Sequence, residues 1–516
     1  MKKLIYILII SISIISCVDL NEDVRSKVST NDYYKTLSDA DAALVGLYSS
    51  LTHNYSGVDL GLAQASWSYY NRLYIVSFAT LTDDVTPGLK GNDAEYRATC
   101  YFNHTSVGSK FTHLWRLSFE IINRANAIID RVPSIQADTA SVNNIVREAK
   151  LIRALLYYNS VRFWGPVPLV LHETTSLSGL QVSRTDSATI YDQIKRDLND
   201  ASALPSARNN YHVTSGAARS LLLSVAVTQR NWTEAVKQYN AIINGGYGYK
   251  LFDNFSDNFS TTKKNTEEHI FDAYYYADGT TGGTGNVNAV AVSEAPIYGF
   301  PGFKAKGSAT MGVNFALRNA YKKGDARIAA TFSDTIYKDA AQTKKYYYPH
   351  FRKFRDLTTT TVANSGVNYP IIRFAEVILN YAEAQNELGN TAEAYTAINK
   401  IRTRAKLPDL TANLSKDDFR DAVFLERRLE FAEEAFVRYF DLVRVNGSGK
   451  RLIEKAVPAL LNSGLKATDS DGGLSYESSV TKNQNFAANP KKYLLLPIPY
   501  TELLANPNLK QNYGWE

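Results

Sequence analysis

The stretch "YAEAQNELGNTAEAYTAINKI", residues 381–401, decides the fold of this chain. It predicts a helix, a tight polar turn and a second helix with a small residue, Ala394, near its start. The segment "LLLSVAVTQRNWTEAVKQYNAII", residues 221–243, superposes on it with a constant offset that matches Ala235 to Ala394. This is the tetratricopeptide pattern, in which small residues let paired helices approach closely. The alternative is a chance likeness between two ordinary helical hairpins.

Further helices are expected elsewhere, because stacked hairpins cannot bury their apolar faces alone. The segment "NNIVREAKLIRALLYYNSVRFWGPVP", residues 143–168, predicts a long helix. Its apolar stripe includes Ile145 and Ile152, and Gly165 is its stop signal. Ser38 is the expected N-cap of an earlier helix. The chain therefore predicts a mostly α-helical fold.

Residues 254–370 lack the helical periodicity of the segments around them. They contain a segment with strand-like alternation, then a stretch rich in Gly, Thr and Asn, and then a cluster of aromatic residues. An irregular insertion of this length in a helical protein is typically functional. We expect minor β structure and a ligand-binding region here.

The composition is that of an ordinary globular protein with an excess of tyrosine. The chain has 516 residues, of which 45% are hydrophobic and 21% charged, and its formal net charge is +6. This charge is too balanced to indicate a nucleic-acid-binding protein. The 34 tyrosines supply rings with an apolar face and a hydroxyl group, which suit both a core and a binding surface.

The N-terminus has the features of an export signal. Lys2 and Lys3 precede an apolar run that is too short to span a bilayer and that ends at Ser16 and Cys17. This ending resembles a bacterial lipobox, in which the cysteine is lipidated. We expect a signal peptide over residues 1–16; the alternative is that Cys17 merely ends an apolar helix.

The residues after the cysteine predict a tether. Residues 17–37 would link the lipid anchor to a main domain over residues 38–516. The acidic stretch "DLNED", from Asp19, resembles the signal that sends some lipoproteins to the outer face of the outer membrane. Because Cys17 is used for the anchor, Cys100 is expected to form no disulfide.

No reactive constellation appears in the sequence. It has no G-x-S-x-G elbow, no Walker loop, no H-E-x-x-H motif and no cysteine cluster, so we expect a protein that is not an enzyme. A pair of carboxylates for glycoside hydrolysis is an alternative that the sequence leaves open.

Charged residues near the C-terminal half are read as structural. Glu426 and Glu430 lie four residues apart on a predicted helix and are expected to pair with arginines, as are Arg438 and Asp441 with each other. The seven histidines lack metal-ligand spacing, so neither a transition metal nor another cofactor is expected. A structural calcium ion on loop carboxylates such as Asp83 and Asp84 is the alternative left open.

Four motifs together resemble the SusD (RagB/SusD) family of outer-membrane nutrient-binding lipoproteins. They are "REAKLIRALLYYNSVRFWGPVPLV" (147–170), "YPIIRFAEVILNYAEAQNELGNTAEAYTAINKIRTRA" (369–405), "LERRLEFAEEAFVRYFDLVR" (425–444) and "YLLLPIPYTELLANPNLKQNYGW" (493–515). The chain departs from the family pattern before Arg438, where Glu-Gly is usual, and at Tyr500, where Gln is common.

The resemblance implies both a fold and a partner. The fold would have about four tetratricopeptide-like hairpins that support an irregular, loop-rich ligand-binding region. The partner would be a SusC-like TonB-dependent transporter that the lipoprotein caps and to which it delivers a captured oligosaccharide. A peptide-capturing member of the same family and a helical-repeat scaffold without a small ligand are the alternatives.

Two segments outside the repeats offer the chemistry that sugar binding needs. Aromatic rings stack on the C–H faces of pyranose rings, and polar side chains bind the hydroxyl groups. The candidate ligand-binding residues are Trp67, Tyr74, Asp83, Asp84, Tyr275, Tyr298, Phe300 and Phe303. The turn around Gly299 and Gly302 would display its rings. For each single ring, packing in the core is the alternative.

Overall fold

The structure is a computed structural model, and it describes most of the chain. The described residues are 33–53, 68–71, 77–88, 93–176, 178–209, 211–277, 288, 290–300, 307–337, 339–359, 364–434, 436–462 and 470–516. The expected signal peptide, Cys17 and most of the expected tether lie outside them. Within the described residues, no helix combines the length and the apolarity that a membrane span requires.

Helices dominate the described part of the chain. In chain order they are α1 (Leu37–Ser50), α2 (Ala94–Cys100), α3 (Ser109–Arg131), α4 (Thr139–Trp164), α5 (Ser187–Ala201), α6 (Ser215–Thr228), α7 (Trp232–Ile243), α8 (Val290–Glu294), α9 (Phe315–Ala320), α10 (Ile328–Thr331), α11 (Phe374–Leu388), α12 (Thr391–Arg404), α13 (Lys416–Glu430), α14 (Val437–Val443), α15 (Ile453–Ala459), α16 (Ser470–Ala488) and α17 (Tyr500–Ala505). The predicted mostly α-helical fold is confirmed.

The two predicted repeat hairpins are present as α6–α7 and α11–α12. In each hairpin the two helices pack against each other, and α7 also packs against α11. Ala235 and Ala394 are both buried at the starts of their helices, as the tetratricopeptide pattern requires. Between the hairpins, the rings of Tyr239 and Tyr381 stack with their centroids 3.6 Å apart. The hairpins therefore form one continuous helical stack.

The ends of two other helices test the sequence signals. The stripe predicted on α4 is buried, and the helix ends at Gly165, whose φ of +70° favours glycine. The N-cap of α1 is Thr36 and not Ser38, because Thr36 and Asp39 form a capping box. The position predicted for this N-cap was therefore wrong by two residues.

The described chain contains three short antiparallel ladders, and four of their six strands lie within residues 254–370. The strands are β1 (Val85–Pro87), β2 (His269–Ala273), β3 (Met311–Val313), β4 (Phe332–Tyr337), β5 (Lys345–Phe351) and β6 (Tyr369–Arg373). They pair as β1 with β3, β2 with β6, and β4 with β5. A small second core lies beneath the β4–β5 hairpin, where Phe332 and Phe351 pack with Leu429 of α13. The minor β structure is confirmed.

A buried network of charges joins this region to the repeats. Arg373, at the end of β6, bonds Glu268, Glu430 and Glu434. Burial raises the pKa of Glu430, but the cations of Arg404, Arg373 and Arg327 outweigh burial and hold this pKa well below its usual range. The network fixes β6 against α13.

Structural ion pairs were the correct prediction for the glutamates of α13, but the partners come from other segments. Glu426 bonds Arg327, which follows α9 in the chain. The predicted pairing of Arg438 with Asp441 is wrong, because Arg438 turns instead toward Asp83 while Asp441 pairs with Arg427. Spacing along one helix does not show which distant segment packs across it.

Candidate ligand-binding surface

Asp83 and Asp84 are buried in ion pairs. Asp83 accepts hydrogen bonds from Nε and Nη2 of Arg438 at 2.8 and 2.7 Å, and Asp84 accepts one from Nε of Arg428 at 2.6 Å. Burial raises the pKa of Asp83, but the two guanidinium groups outweigh burial and lower this pKa overall. Burial raises the pKa of Asp84. The expectation that these carboxylates accept ligand hydroxyls from an open surface is corrected by their burial.

The same ion pairs bear on the calcium alternative. The guanidinium groups of Arg428 and Arg438 already neutralise both carboxylates. Within the described residues, no group of three or more His, Cys, Asp and Glu side chains is arranged to hold a metal ion.

Tyr275 belongs to the core and not to a surface. Its side chain is 1% exposed, and its hydroxyl donates a hydrogen bond to the carbonyl of Tyr70. Its backbone N–H donates to Asn368 at 2.9 Å. The next residue, Tyr276, is 60% exposed. The prediction for Tyr275 is therefore wrong, because this ring points to the buried side of the chain.

Phe300 is also buried. It packs with Ala291 and Ala295, and the guanidinium of Arg355 lies 4.7 Å from its ring centroid. His350 meets its ring edge-on. The expectation that the turn displays Phe300 is wrong, because the turn folds this ring inward.

Tyr298 is half-buried, and its backbone fastens the turn to the β4–β5 hairpin. The carbonyl of Tyr298 accepts a hydrogen bond from Nε2 of Gln342 at 2.6 Å, and the carbonyl of Gly299 accepts one from the N–H of Tyr337 at 3.2 Å. The other predicted aromatic residues, Trp67, Tyr74 and Phe303, lie outside the described residues. The assignment of Trp67, Tyr74 and Phe303 to an aromatic ligand surface stays a prediction.

The hairpin itself carries a surface that the sequence analysis missed. We call it the hairpin face; its residues are Phe315, Arg318, Asp334, Tyr337, Lys345 and Tyr347. Tyr337 lies opposite Lys345, and Thr335 lies opposite Tyr347, so Tyr337, Lys345 and Tyr347 share one side of the ladder. Asp334 and Arg318 are included in the face because their charges act on the hydroxyl of Tyr347. The ring of Tyr347 is 60% exposed, and Phe315 of α9 meets it edge-on with centroids 6.4 Å apart.

A two-point ion pair lies beside this ring. Nε and Nη2 of Arg318 donate to the two carboxylate oxygens of Asp334 at 3.0 and 2.6 Å. The two side chains are 18% and 31% exposed. The hydrogen bond that Arg318 donates to Asp334 raises the pKa of Arg318, while burial, followed by the charge of Asp334, raises the pKa of Tyr347. The tyrosine hydroxyl therefore stays protonated at neutral pH and can donate.

The scaffold beneath holds the hairpin face in place. Tyr348, His350 and Phe351 of β5 are buried, so the exposed half of the strand is anchored by its second half. Gly312 of β3 lies so close that a Cβ there would be 2.8 Å from the Tyr348 hydroxyl, so a larger residue would have to displace this hydroxyl. The face is therefore preformed.

The local signal for the face was the run "KYYYPHF", residues 345–351. Its three consecutive tyrosines alternate across a strand, so that one side must differ from the other in burial. The run lies in the insertion, beyond the two segments to which sugar binding was assigned.

With this geometry described, the comparisons with known proteins decide the family. A family model described as "SusD family" matches residues 232–515, which is more than half of the chain. The chain belongs to the SusD family. A second model, described as "Starch-binding associating with outer membrane", matches residues 67–226 of this SusD-family chain.

Relatives match along nearly the whole length. "SusD-like protein P2" of Formosa agariphila is 25% identical, and the match covers 99% of both chains. A "SusD-like protein" of Bacteroides ovatus is 22% identical over 91% of this chain and 93% of its own. A solved SusD superfamily protein from Bacteroides vulgatus has a TM-score of 0.77 at 22% identity, covering 94% of this chain and all of its own. The SusD fold is thus shown over most of the chain.

Proposed function

We propose that this SusD-family chain is a cell-surface binding protein, and not an enzyme, that captures a glycan outside the outer membrane. The observation that carries the proposal is the exposed ring of Tyr347 beside the Arg318–Asp334 pair. Two solved proteins of the same fold support it. One is described as a laminarin-binding SusD-like protein (TM-score 0.71, 24% identity), and the other as surface glycan-binding protein A from Bacteroides fluxus (TM-score 0.70, 21% identity).

The chemistry of the hairpin face suits a neutral sugar. An exposed aromatic ring offers an apolar plane for the C–H face of a pyranose. The carboxylate of Asp334 accepts hydrogen bonds from sugar hydroxyls, and the guanidinium of Arg318 donates them. Because each of the two groups already holds the other in position, little side-chain entropy is lost on binding.

Delivery to a transporter is the second part of the proposal. The protein would be held by lipid on Cys17 and would pass its ligand to a SusC-like TonB-dependent barrel. The outer-membrane description of the matching family model supports the location, and stacked helical repeats offer extended protein-binding surfaces. Affinity purification from detergent-solubilised membranes should recover such a barrel, and repeated recovery of none would contradict the partnership.

Peptide capture and a scaffold without a small ligand are the competing functions. A peptide-binding protein typically forms hydrogen bonds with the backbone of its ligand along an extended strand edge or groove. The hairpin face instead offers a ring and a hydrogen-bonding fork on a pleated surface. This arrangement favours sugar.

Affinity electrophoresis of the purified protein against laminarin, starch and other neutral polysaccharides tests the function. We expect at least one polysaccharide to retard the protein. Tyr347→Ala should abolish the retardation, while Tyr500→Ala, which removes a comparably exposed tyrosine on α17, should not. Retardation by no polysaccharide, together with measurable binding to a peptide library, would overturn the proposal in favour of peptide capture.

A further inference from the structure

A cleft lies beside the helical repeats, outside the hairpin face. It has a volume of about 850 Å³ and shares no residue with that face. Its walls come from the C-terminal end of α4, the turn between α6 and α7, the end of α14 and the C-terminal segment around Tyr513. Ligand sites in proteins have volumes of roughly 300–1,000 Å³, so the cleft is large enough for an oligosaccharide.

Positive charge dominates this cleft. Five cationic side chains line it and only one acidic side chain, Glu454, does so; the cations are Arg162, Arg230, Arg444, Arg451 and Lys491. The whole chain carries nearly equal numbers of basic and acidic residues. The imbalance is therefore a local property of the cleft, and such a surface attracts anions.

Most of these cations keep their charge available. Arg444 is neutralised by Glu383, with bonds of 2.8 and 2.6 Å. Within the described part of the chain, by contrast, Arg162, Arg230 and Lys491 have no carboxylate within salt-bridge distance. Arg230 and Lys491 are also exposed at the rim.

Arg162 is held in a fixed orientation. Its guanidinium lies between two rings, 3.6 Å from the centroid of Tyr158 and 3.5 Å from that of Phe440. Its Nη2 donates to Asn159 at 2.6 Å. A stacked guanidinium loses little entropy when it binds a carboxylate or sulfate, and its planar fork matches such groups.

An aromatic side chain completes the cleft. Tyr513 is 62% exposed at its edge, and Tyr191 of α5 forms part of its wall. An exposed ring beside cations suits a ligand that alternates C–H faces with negative charges. An acidic peptide would use the cations but would not require the rings.

We propose that this cleft is a second ligand site, which binds the carboxylate or sulfate groups of an acidic oligosaccharide. The choice of an oligosaccharide rests on the proposed glycan-binding function, whereas the anionic character of the ligand rests on the cleft alone. On this proposal the hairpin face binds neutral sugar units and the cleft binds charged ones.

Isothermal titration calorimetry on the purified full chain tests the proposal with three tetrasaccharides: tetragalacturonate, its neutral methyl ester and a sulfated carrageenan tetrasaccharide. We expect one of the two anionic chains to bind and the methyl ester not to bind. Binding should weaken as NaCl rises from about 0.05 to about 0.3 M, because salt screens exposed charges. Arg230→Gln with Lys491→Gln should reduce the affinity about tenfold, since each exposed cation adds a charge-assisted hydrogen bond.

The matched control is Lys400→Gln with Lys406→Gln. It removes the same charge outside the cleft, and Lys406 has the same left-handed backbone as Arg230, with φ of +59° against +58°. The control should leave binding of the anionic chain unchanged, and this outcome assigns the loss of affinity in the cleft variant to the cleft. Any one of four outcomes would overturn the proposal. They are equal affinity for the methyl ester, wild-type affinity of the cleft variant for the anionic chain, tighter binding of a hexaglutamate peptide, and no binding of either anionic chain.

Discussion

Arg438 donates two hydrogen bonds to the carboxylate of Asp83, although the two residues lie 355 positions apart along the chain. The side chains are 9% and 2% exposed. The pair joins the segment before β1 to α14, so that an early and a late segment of the described chain meet in one buried contact.

Asp83→Asn should destabilise the protein strongly. The amide would leave the guanidinium of Arg438 buried without its charge partner, and loss of one member of a buried pair typically costs about 3–5 kcal/mol. The free energy of unfolding in urea measures the effect. Asp192→Asn, which breaks a pair whose aspartate is 60% exposed, is the control and should change this free energy by less than about 1 kcal/mol. Equal effects of the two changes would show that the Arg438 pair does not hold the structure.

His104 should make the protein less stable in acid. Burial, followed by the charges of Lys492 and Lys482, lowers its pKa from the ordinary 6.5 to about 3. Since the unfolded chain binds a proton below about pH 6.5 and the folded chain does not, stability falls as the pH drops from 6.5 toward 3. At pH 5 the loss is about 2 kcal/mol.

Urea unfolding at pH 7.5 and pH 5 checks this sign. The difference in unfolding free energy between the two pH values should shrink in His104→Gln, since glutamine does not titrate. His172→Gln, at a histidine whose side chain is 87% exposed, is the surface control and should change this difference less than His104→Gln does. An unchanged difference in His104→Gln would exclude this histidine as the source of the acid sensitivity.

Tyr347→Ala should weaken binding of the neutral glycan that wild type retains. Loss of one stacking ring costs about 1–3 kcal/mol, by analogy with bases stacked on aromatic side chains, which is about a tenfold to hundredfold loss of affinity. Calorimetry with the same glycan measures it. Tyr276→Ala removes another ring that is also 60% exposed and is the matched control. If the control weakens binding and Tyr347→Ala does not, the glycan binds beside Tyr276 and not on the hairpin face.

Cys17→Ala should release the protein from the membrane fraction. Several acyl chains anchor a protein far more firmly than one, and all of them depend on this thiol. Membrane fractionation with palmitate labelling compares the variant with wild type. A variant that stays in the membrane fraction and labels as strongly as wild type would show that the anchor lies elsewhere.

The sequence predicted the repeats better than it predicted the ligand surface. Ala235 and Ala394 could be placed because a helix imposes a short period on its own residues. The exposure of Tyr275 and Phe300 could not, because it depends on segments that pack against them from far along the chain. Asp83 shows the same limit, since its partner Arg438 follows no local spacing.

Strand β2 pairs with β6 so that Ala273 lies opposite Tyr369. The chain thus leaves the helical stack and returns to it at adjacent points. We call the span from 274 to 368 the inserted module. We expect loops of this module to tolerate changes of length while the repeats on either side keep their register. The module is also held by contacts farther along the chain, among them the β1–β3 ladder, the bond from Tyr321 to the carbonyl of Leu429 and the ion pair of Arg327 with Glu426. We expect a transplanted module that keeps these contacts to carry its ligand preference with it into another member of the family.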